Sequence, residues 1–196
     1  MKILLSAFEP FGGENKNASL EAMKRIQPSK GIEMKKIVIP TVFGLAGETL
    51  MKAVREEKPD VVICLGQAAG RAAVTPERIA INVRDASIPD NAGNRPQDEP
   101  IVPDGPAAFF STLPVRAMAD AAKSAGFDAA VSNSAGTFVC NDLMYTLLYA
   151  LEREFPTSRG GFIHVPACVS SDQSAPVPVM PSSVTAAAIE AMLAVL

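Results

Sequence analysis

Short apolar runs that alternate with segments of helical period predict an α/β sandwich with a largely parallel sheet. Three observations carry this reading: each run is bounded by Gly, Pro, Asn or Asp, the intervening segments present apolar residues on one helical face, and the chain has 196 residues. That length suits a single domain over residues 1–196, with a core large enough to need no disulfide or metal.

The first run, Met1 to Ser6, carries one lysine and breaks at Glu9-Pro10. It is too short for a signal-peptide core or a membrane span, so a buried first strand is expected over Ile3 to Ala7. A helix over Ser19 to Ile26 follows, entered through Asn17-Ala18-Ser19. That tripeptide fits an N-glycosylation acceptor, but without a signal peptide it reads as a polar helix entry. Met34 to Ile39 is the second strand, Leu45 to Glu56 the second helix, and Val61 to Leu65 a third, wholly apolar strand. Ile79 to Val83 falls outside the alternation and is expected to pair antiparallel. The period then gives a helix over Val115 to Ser124, a strand over Ala129 to Ser132, a helix over Asn141 to Arg153 and a strand over Gly161 to Val165. In the last helix, Val184 to Leu193, Val184, Ala188, Ile189, Met192 and Leu193 form a broad apolar face of the kind that covers a sheet. Two stretches break the rhythm. Asp85 to Pro106 holds five prolines and is too long for an ordinary connection, while Pro166 to Pro181 is rich in Ser and Pro. Both are placed to flank a site.

Composition narrows the chemistry. Eighteen Lys and Arg stand against 21 Asp and Glu, a formal net charge of −3 with no basic block, so neither a nucleic acid nor a membrane surface is an expected partner. The three cysteines, Cys64, Cys140 and Cys168, include no C-x-x-C pair and point to a reducing, cytoplasmic compartment. The single histidine, His164, cannot build a His-rich metal site, and no zinc pattern or phosphate-binding glycine loop is present. No cofactor is expected.

Cys140 lies where Ser134-Ala135-Gly136-Thr137-Phe138-Val139-Cys140-Asn141 passes from a small-residue turn into a helix whose Leu143, Leu147 and Leu151 face inward. The positive end of a helix dipole favours a thiolate, and first-turn amides can hold an oxyanion. A space-filling cysteine has the same pattern, and the residues alone leave both readings open. Cys64 sits inside an apolar strand and reads as core; Cys168 reads as a thiol without a role. His164 ends a predicted strand, where open α/β sheets place ligands, although a core histidine bonded to backbone also ends strands. A Cys–His pair is the minimum equipment for acyl transfer by sulfur, lacking only an orienting group. Glu77, next to Arg78, reads by charge pattern as half of a surface ion pair, and Asp142 as a first-turn acid. Phe8 and Phe11, on a turn constrained by Pro10, Gly12 and Gly13, form either a rigid apolar clamp or core packing. Gly66-Gln67-Ala68-Ala69-Gly70-Arg71 follows a strand and can offer amide donors to a ligand.

Taken together, Phe8-Glu9-Pro10-Phe11-Gly12-Gly13, Gly66 to Arg71, Glu77-Arg78-Ile79-Ala80-Ile81-Asn82, Ile88-Pro89-Asp90-Asn91, Ser134 to Asn141 and Gly161-Phe162-Ile163-His164-Val165-Pro166 resemble the pyroglutamyl-peptidase I family. The resemblance spans essentially the whole chain. It implies a three-layer α/β/α sandwich similar to the nucleoside phosphorylases, a homotetramer, and removal of N-terminal pyroglutamate by a Cys–His–Glu triad. Carried over by motif, the triad falls on Cys140, His164 and Glu77, the lactam-flanking pair on Phe8 and Phe11, and a further substrate contact on Gln67. One position departs: where the family is expected to read A-R-I-P-D-N, this chain has Ser87 in place of the arginine, with Arg84 three residues earlier. Ser87 leaves a non-catalytic lactam binder as the alternative, and a phosphorolytic enzyme on the same fold is disfavoured by the missing phosphate loop.

Overall fold

A computed structural model of the chain describes residues 1–168 and 178–196; most of the Ser/Pro stretch after His164 lies outside the described residues. Strand β1 (Lys2–Phe8) leads to α1 (Ala18–Arg25), β2 (Glu33–Ile39), α2 (Leu45–Glu57) and β3 (Val61–Gln67). Short strands β4 (Thr75–Pro76), β5 (Ile79–Ile81) and β6 (Ala108–Phe110) precede α3 (Val115–Ser124), α4 (Val139–Glu154), β7 (Arg159–Val165) and α5 (Ser182–Leu193). The main sheet has the order β2-β1-β3-β7-β4; its first four strands are parallel and β4 joins β7 antiparallel.

The pleat divides the core in two. Ile3, Leu5, Ile63, Leu65, Ile163 and Val165 pack beneath α1, α3 and α5. Leu4, Phe8, Val62, Cys64 and Phe162 face α2 and α4. Both faces being covered, β3 reads as a continuous apolar run rather than an alternating one. Each fully buried Leu or Ile contributes about 1.5–3 kcal/mol relative to exposure. β2, at the edge, alternates burial and carries Glu33, Lys35 and Lys36, charges that discourage pairing with another chain. In α4, Leu143, Leu147 and Leu151 are buried as their spacing predicts, and Met144, Tyr145 and Leu148 join them. Asn17 caps α1 by accepting from Ser19 N at 3.0 Å, in keeping with a polar helix entry.

Two expectations need correction. The strand expected over Ala129 to Ser132 forms only isolated parallel bridges, Ala129 with Val74 and Ser132 with Glu77. Pro76 is the reason: it lacks the N–H that would continue the ladder between those two bridges. The Ile79 to Val83 run does pair antiparallel, but only over Ile79–Ile81 and with a partner, Ala108–Phe110, that lies within the same long excursion past the proline-rich loop. Among the described residues no helix is long and apolar enough to cross a membrane.

Candidate active site

Gly66 of β3 stands opposite His164 of β7 in the parallel register, on the face turned toward α4. Cys140 is the second residue of α4, and its Sγ lies against Gly66. A Cβ at position 66 would lie 2.6 Å from Phe162 Cζ and 2.9 Å from Cys140 Sγ, so glycine is what lets the thiol and the aromatic ring share the end of the strand. Gly66→Ala is expected to cost about 1–3 kcal/mol through overpacking and to cut turnover roughly 10- to 100-fold by displacing the sulfur. Thermal melts and steady-state rates check this, and a fully active, equally stable variant would refute it.

His164 is buried, with Nδ1 2.7 Å from Glu77 Oε1 and its ring centroid 4.8 Å from that of Phe162. Burial holds the imidazole below its ordinary value; Glu77 pulls it upward, and Arg71 pushes it further down. Glu77 is fully buried rather than part of a surface pair. β4 and its continuation alternate, so Thr75 and Glu77 turn inward, whereas Arg78 turns out and its Nε donates to Asn133 Oδ1 at 2.8 Å. Burial alone would raise the Glu77 carboxyl. The His164 hydrogen bond and charge, the nearby Ser132 hydroxyl and the Arg71 charge outweigh it and keep the carboxyl below the usual range. An ionised Glu77 therefore accepts from His164 Nδ1–H, leaving Nε2 of a neutral imidazole as the acceptor.

The Cys140 thiol departs from the dipole-based expectation. Burial, reinforced by the Glu77 carboxylate, pushes it up to about 12, against smaller opposing pulls from Arg71 and its own amide. The resting site therefore carries its proton on sulfur. Cys64 is also pushed up to about 12 by burial and is wholly enclosed, as its strand position implies.

Cys140 opens on a cavity of about 330 Å³ whose walls include Phe8, Phe11, Gln67, Ile88 and Phe138. Both predicted phenylalanines reach it, but unequally. Phe8 is almost fully buried and packs near Phe162 at 6.3 Å, whereas Phe11 meets Phe138 at 5.3 Å, making Phe138 the other half of the exposed aromatic wall. Gln67 also lines the cavity; its Oε1 accepts from Ala18 N at 2.7 Å and its Nε2 donates to Glu14 at 3.2 Å. Asn17 and Thr41 complete the polar side, two contributions that sequence patterns did not single out. Part of the expected proline-rich loop does reach the site. Asp90 accepts from the amides of Phe43, Ala92 and Asn94, and Asn91 Nδ2 donates to Glu9 Oε1 and Pro10 O, which holds Ile88 over the opening. Ser87 is exposed beside it.

Three further side chains fix the frame. Asn141 Oδ1 accepts from Ile81 N, and its Nδ2 donates to Ile81 O and Val83 O, which fastens β5 to the start of α4. Asp142 is a first-turn acid, as read, but it is buried and accepts from Gly44 N at 2.9 Å and Arg84 Nε at 2.7 Å. That pairing holds Arg84 at Asp142. Arg71 closes the group from beneath, reaching Glu77 Oε1 and Thr75 Oγ1, each at 2.6 Å, and Ser134 O at 3.2 Å.

A thiol at a helix start above an imidazole–carboxylate pair, at the end of a mostly parallel sheet, is the equipment of a cysteine-type hydrolase on an α/β sandwich. The family model for pyroglutamyl peptidase matches residues 1–196. The chain belongs to the pyroglutamyl peptidase family. It is 49% identical over 195 residues to the pyrrolidone-carboxylate peptidase of Streptomyces coelicolor, covering 98% of this chain and 90% of that protein. It is 54% identical over 168 residues to pyrrolidone-carboxylate peptidase 1 of Streptococcus pneumoniae, covering 85% and 78% of the two chains. The crystal structure of pyroglutamyl peptidase I from Bacillus amyloliquefaciens superposes with a TM-score of 0.94 at 42% identity, over 97% of this chain and 92% of that one.

Proposed function

We propose that this protein hydrolyses the bond that follows an N-terminal pyroglutamyl residue, with Cys140 as nucleophile, His164 as acid and base, and Glu77 as the carboxylate that orients the imidazole. The observation that carries this reading is the 2.7 Å contact between buried Glu77 Oε1 and His164 Nδ1, beneath a thiol that opens on an aromatic cavity.

The protonation pattern sets the order of events. Because the thiol is held high and the imidazole low, proton transfer from Sγ to His164 accompanies attack on the scissile carbonyl rather than preceding it. The imidazolium formed is stabilised by ionised Glu77. The amides of Val139 and Cys140 precede the first bonds of α4, which Asn141 N and Asp142 N make to Phe138 O, and these two are the ones offered to the developing oxyanion. His164 then protonates the departing amine, leaving a thioacyl-enzyme. The same imidazole takes a proton from water, which attacks the thioester and releases pyroglutamate and the free thiol. No step calls for a metal or cofactor.

The cavity suits a neutral lactam. The wall formed by Phe11 and Phe138 offers an apolar surface to ring atoms, while Gln67, Asn17 and Thr41 supply the polar side of the cavity. A prolyl substrate has the same ring size but carries an ammonium, which would be desolvated against the phenylalanines. Glu14, the carboxylate on the wall, is exposed and already bonded to Gln67. The expected preference in kcat/KM for a fluorogenic pyroglutamyl amide over the prolyl amide is roughly 10³-fold or more. Comparable rates would refute the lactam assignment, and no turnover by folded protein that still binds pyroglutamate would favour a binder. The same family membership supports one domain over 1–196, assembly as a homotetramer and a cytoplasmic setting, in keeping with three free cysteines.

A further inference from the structure

The guanidinium of Arg71 lies outside the triad yet makes the most demanding contact in it. Its Nη1 is 2.6 Å from Glu77 Oε1, the same oxygen that receives His164 Nδ1–H at 2.7 Å, while Glu77 Oε2 is buried with no hydrogen-bond partner among the described residues. A buried carboxylate with one unsatisfied oxygen is expected to rotate, or to relax toward solvent, unless something pins the other oxygen. Arg71 does so from a side chain 30% exposed against a carboxylate that is fully buried. The remaining contacts of Arg71 are also informative: Nη1 reaches Thr75 Oγ1, whose hydroxyl lies 3.4 Å from His164 O, and Nη2 reaches Ser134 O in the loop that leads to Cys140. One planar group thus touches the strand before Glu77, the carboxylate itself and the approach to the nucleophile.

We propose that Arg71 is a positioning residue for the reaction: it fixes Glu77 against His164, ties that pair to the Cys140 loop, and balances the carboxylate charge. This rests on the triad reading above. The charged groups that bear on the imidazole are Glu77 beyond β4 and Arg71 on the loop after β3, and the Cys140 thiol of α4 feels the same two charges together with Cys64 of β3. Glu77 pulls a proton toward His164 against burial, with Arg71 adding to burial on the opposing side, and a protonated imidazole cannot accept the thiol proton. With Arg71 beside it, the resting cluster is a neutral imidazole with a compensated carboxylate. The imidazolium is then formed only as the thiol is spent.

The test is the pH profile of pyroglutamyl-amide hydrolysis by wild type, Arg71→Met, Arg71→Lys and Glu77→Gln. Activity falls on the acid side as His164 becomes protonated. Removing a positive neighbour lets His164 keep its proton to higher pH, so in Arg71→Met the acid limb moves to higher pH, and kcat drops about 10- to 100-fold with KM little changed. Glu77→Gln moves the limb the opposite way. Arg71→Lys retains the charge, so its limb stays near the wild-type position, but an ammonium cannot bridge Thr75, Glu77 and Ser134 at once and kcat remains reduced. Near-UV circular dichroism checks folding, and the lysine variant keeps the test informative if the methionine variant folds poorly. Wild-type kcat and limb position in Arg71→Met overturn the proposal, as does a loss of kcat in both arginine variants with no movement of the limb. Full activity in Glu77→Gln would overturn the triad reading itself, an outcome distinct from failure at Arg71 alone.

Discussion

Cys140→Ser is expected to fold, to melt close to the wild-type temperature and to lose hydrolysis of a pyroglutamyl amide by roughly 10⁴-fold or more, the scale seen when a nucleophile is removed from a coupled set. The substitution changes one atom in a half-buried position, so packing around Gly66 and Phe162 should be little disturbed. The chemistry changes far more. The thiol already sits at about 12 because of burial, and a hydroxyl in the same place, harder to deprotonate still, gives His164 a proton it cannot take. Sulfur is also the longer and more polarisable nucleophile, and the position of α4 over β3 and β7 is set for it. Native-state alkylation supplies a second readout. Iodoacetamide should spare enclosed Cys64 and reach the half-buried Cys140 and Cys168, and only the label mapped to position 140 should disappear in the serine variant. Undiminished turnover in Cys140→Ser would move the nucleophile elsewhere.

The same residues show which parts of the site could be read from sequence. Cys140 and His164 were legible because each ends or begins an element whose periodicity is strong: the Leu143, Leu147 and Leu151 row fixes where α4 starts, and the Gly161 to Val165 run fixes where β7 stops. Their meeting depends on a parallel register that places Gly66 against His164, and spacing along the chain does not encode it. Glu77 was misread by charge alone. Adjacent opposite charges look like a surface pair until strand alternation turns one inward, and β4 is only two residues long, too short to announce its period. Arg71 had even less signal, since a basic residue after a glycine turn is ordinarily solvated. The aromatic wall was half visible: Phe11 was found on its constrained turn, whereas Phe138 read only as a neighbour of Cys140. The depressed basicity of the imidazole and the raised thiol were not legible at all, because both follow from burial, a property of the assembled layers rather than of any local segment.

His164→Gln is expected to cost roughly 10³- to 10⁶-fold in kcat while leaving the fold in place, and this combination separates a catalytic histidine from a core one. Glutamine is the informative choice because its amide can still donate to Glu77 Oε1, where His164 Nδ1 now sits at 2.7 Å. Alanine would leave a void at the end of β7 and a buried carboxylate with Arg71 as its remaining charged partner. Breaking a buried pair in that way costs about 3–5 kcal/mol and would confound the rate with unfolding. The glutamine variant instead removes the acid and base alone. With neither function available, the thiol cannot pass its proton on and the leaving amine cannot receive one, so acylation fails in both directions. Because the chain has one histidine, its imidazole resonance is unambiguous in the wild type, and its titration should fall below the ordinary value of 6.5, since burial outweighs the pull of Glu77. The acid limb of kcat/KM should coincide with that titration and disappear in the variant. A histidine that titrates above 6.5, or a glutamine variant within tenfold of wild-type kcat, would mean that the thiol loses its proton by another route, and His164 would then be a buried core residue held by Glu77.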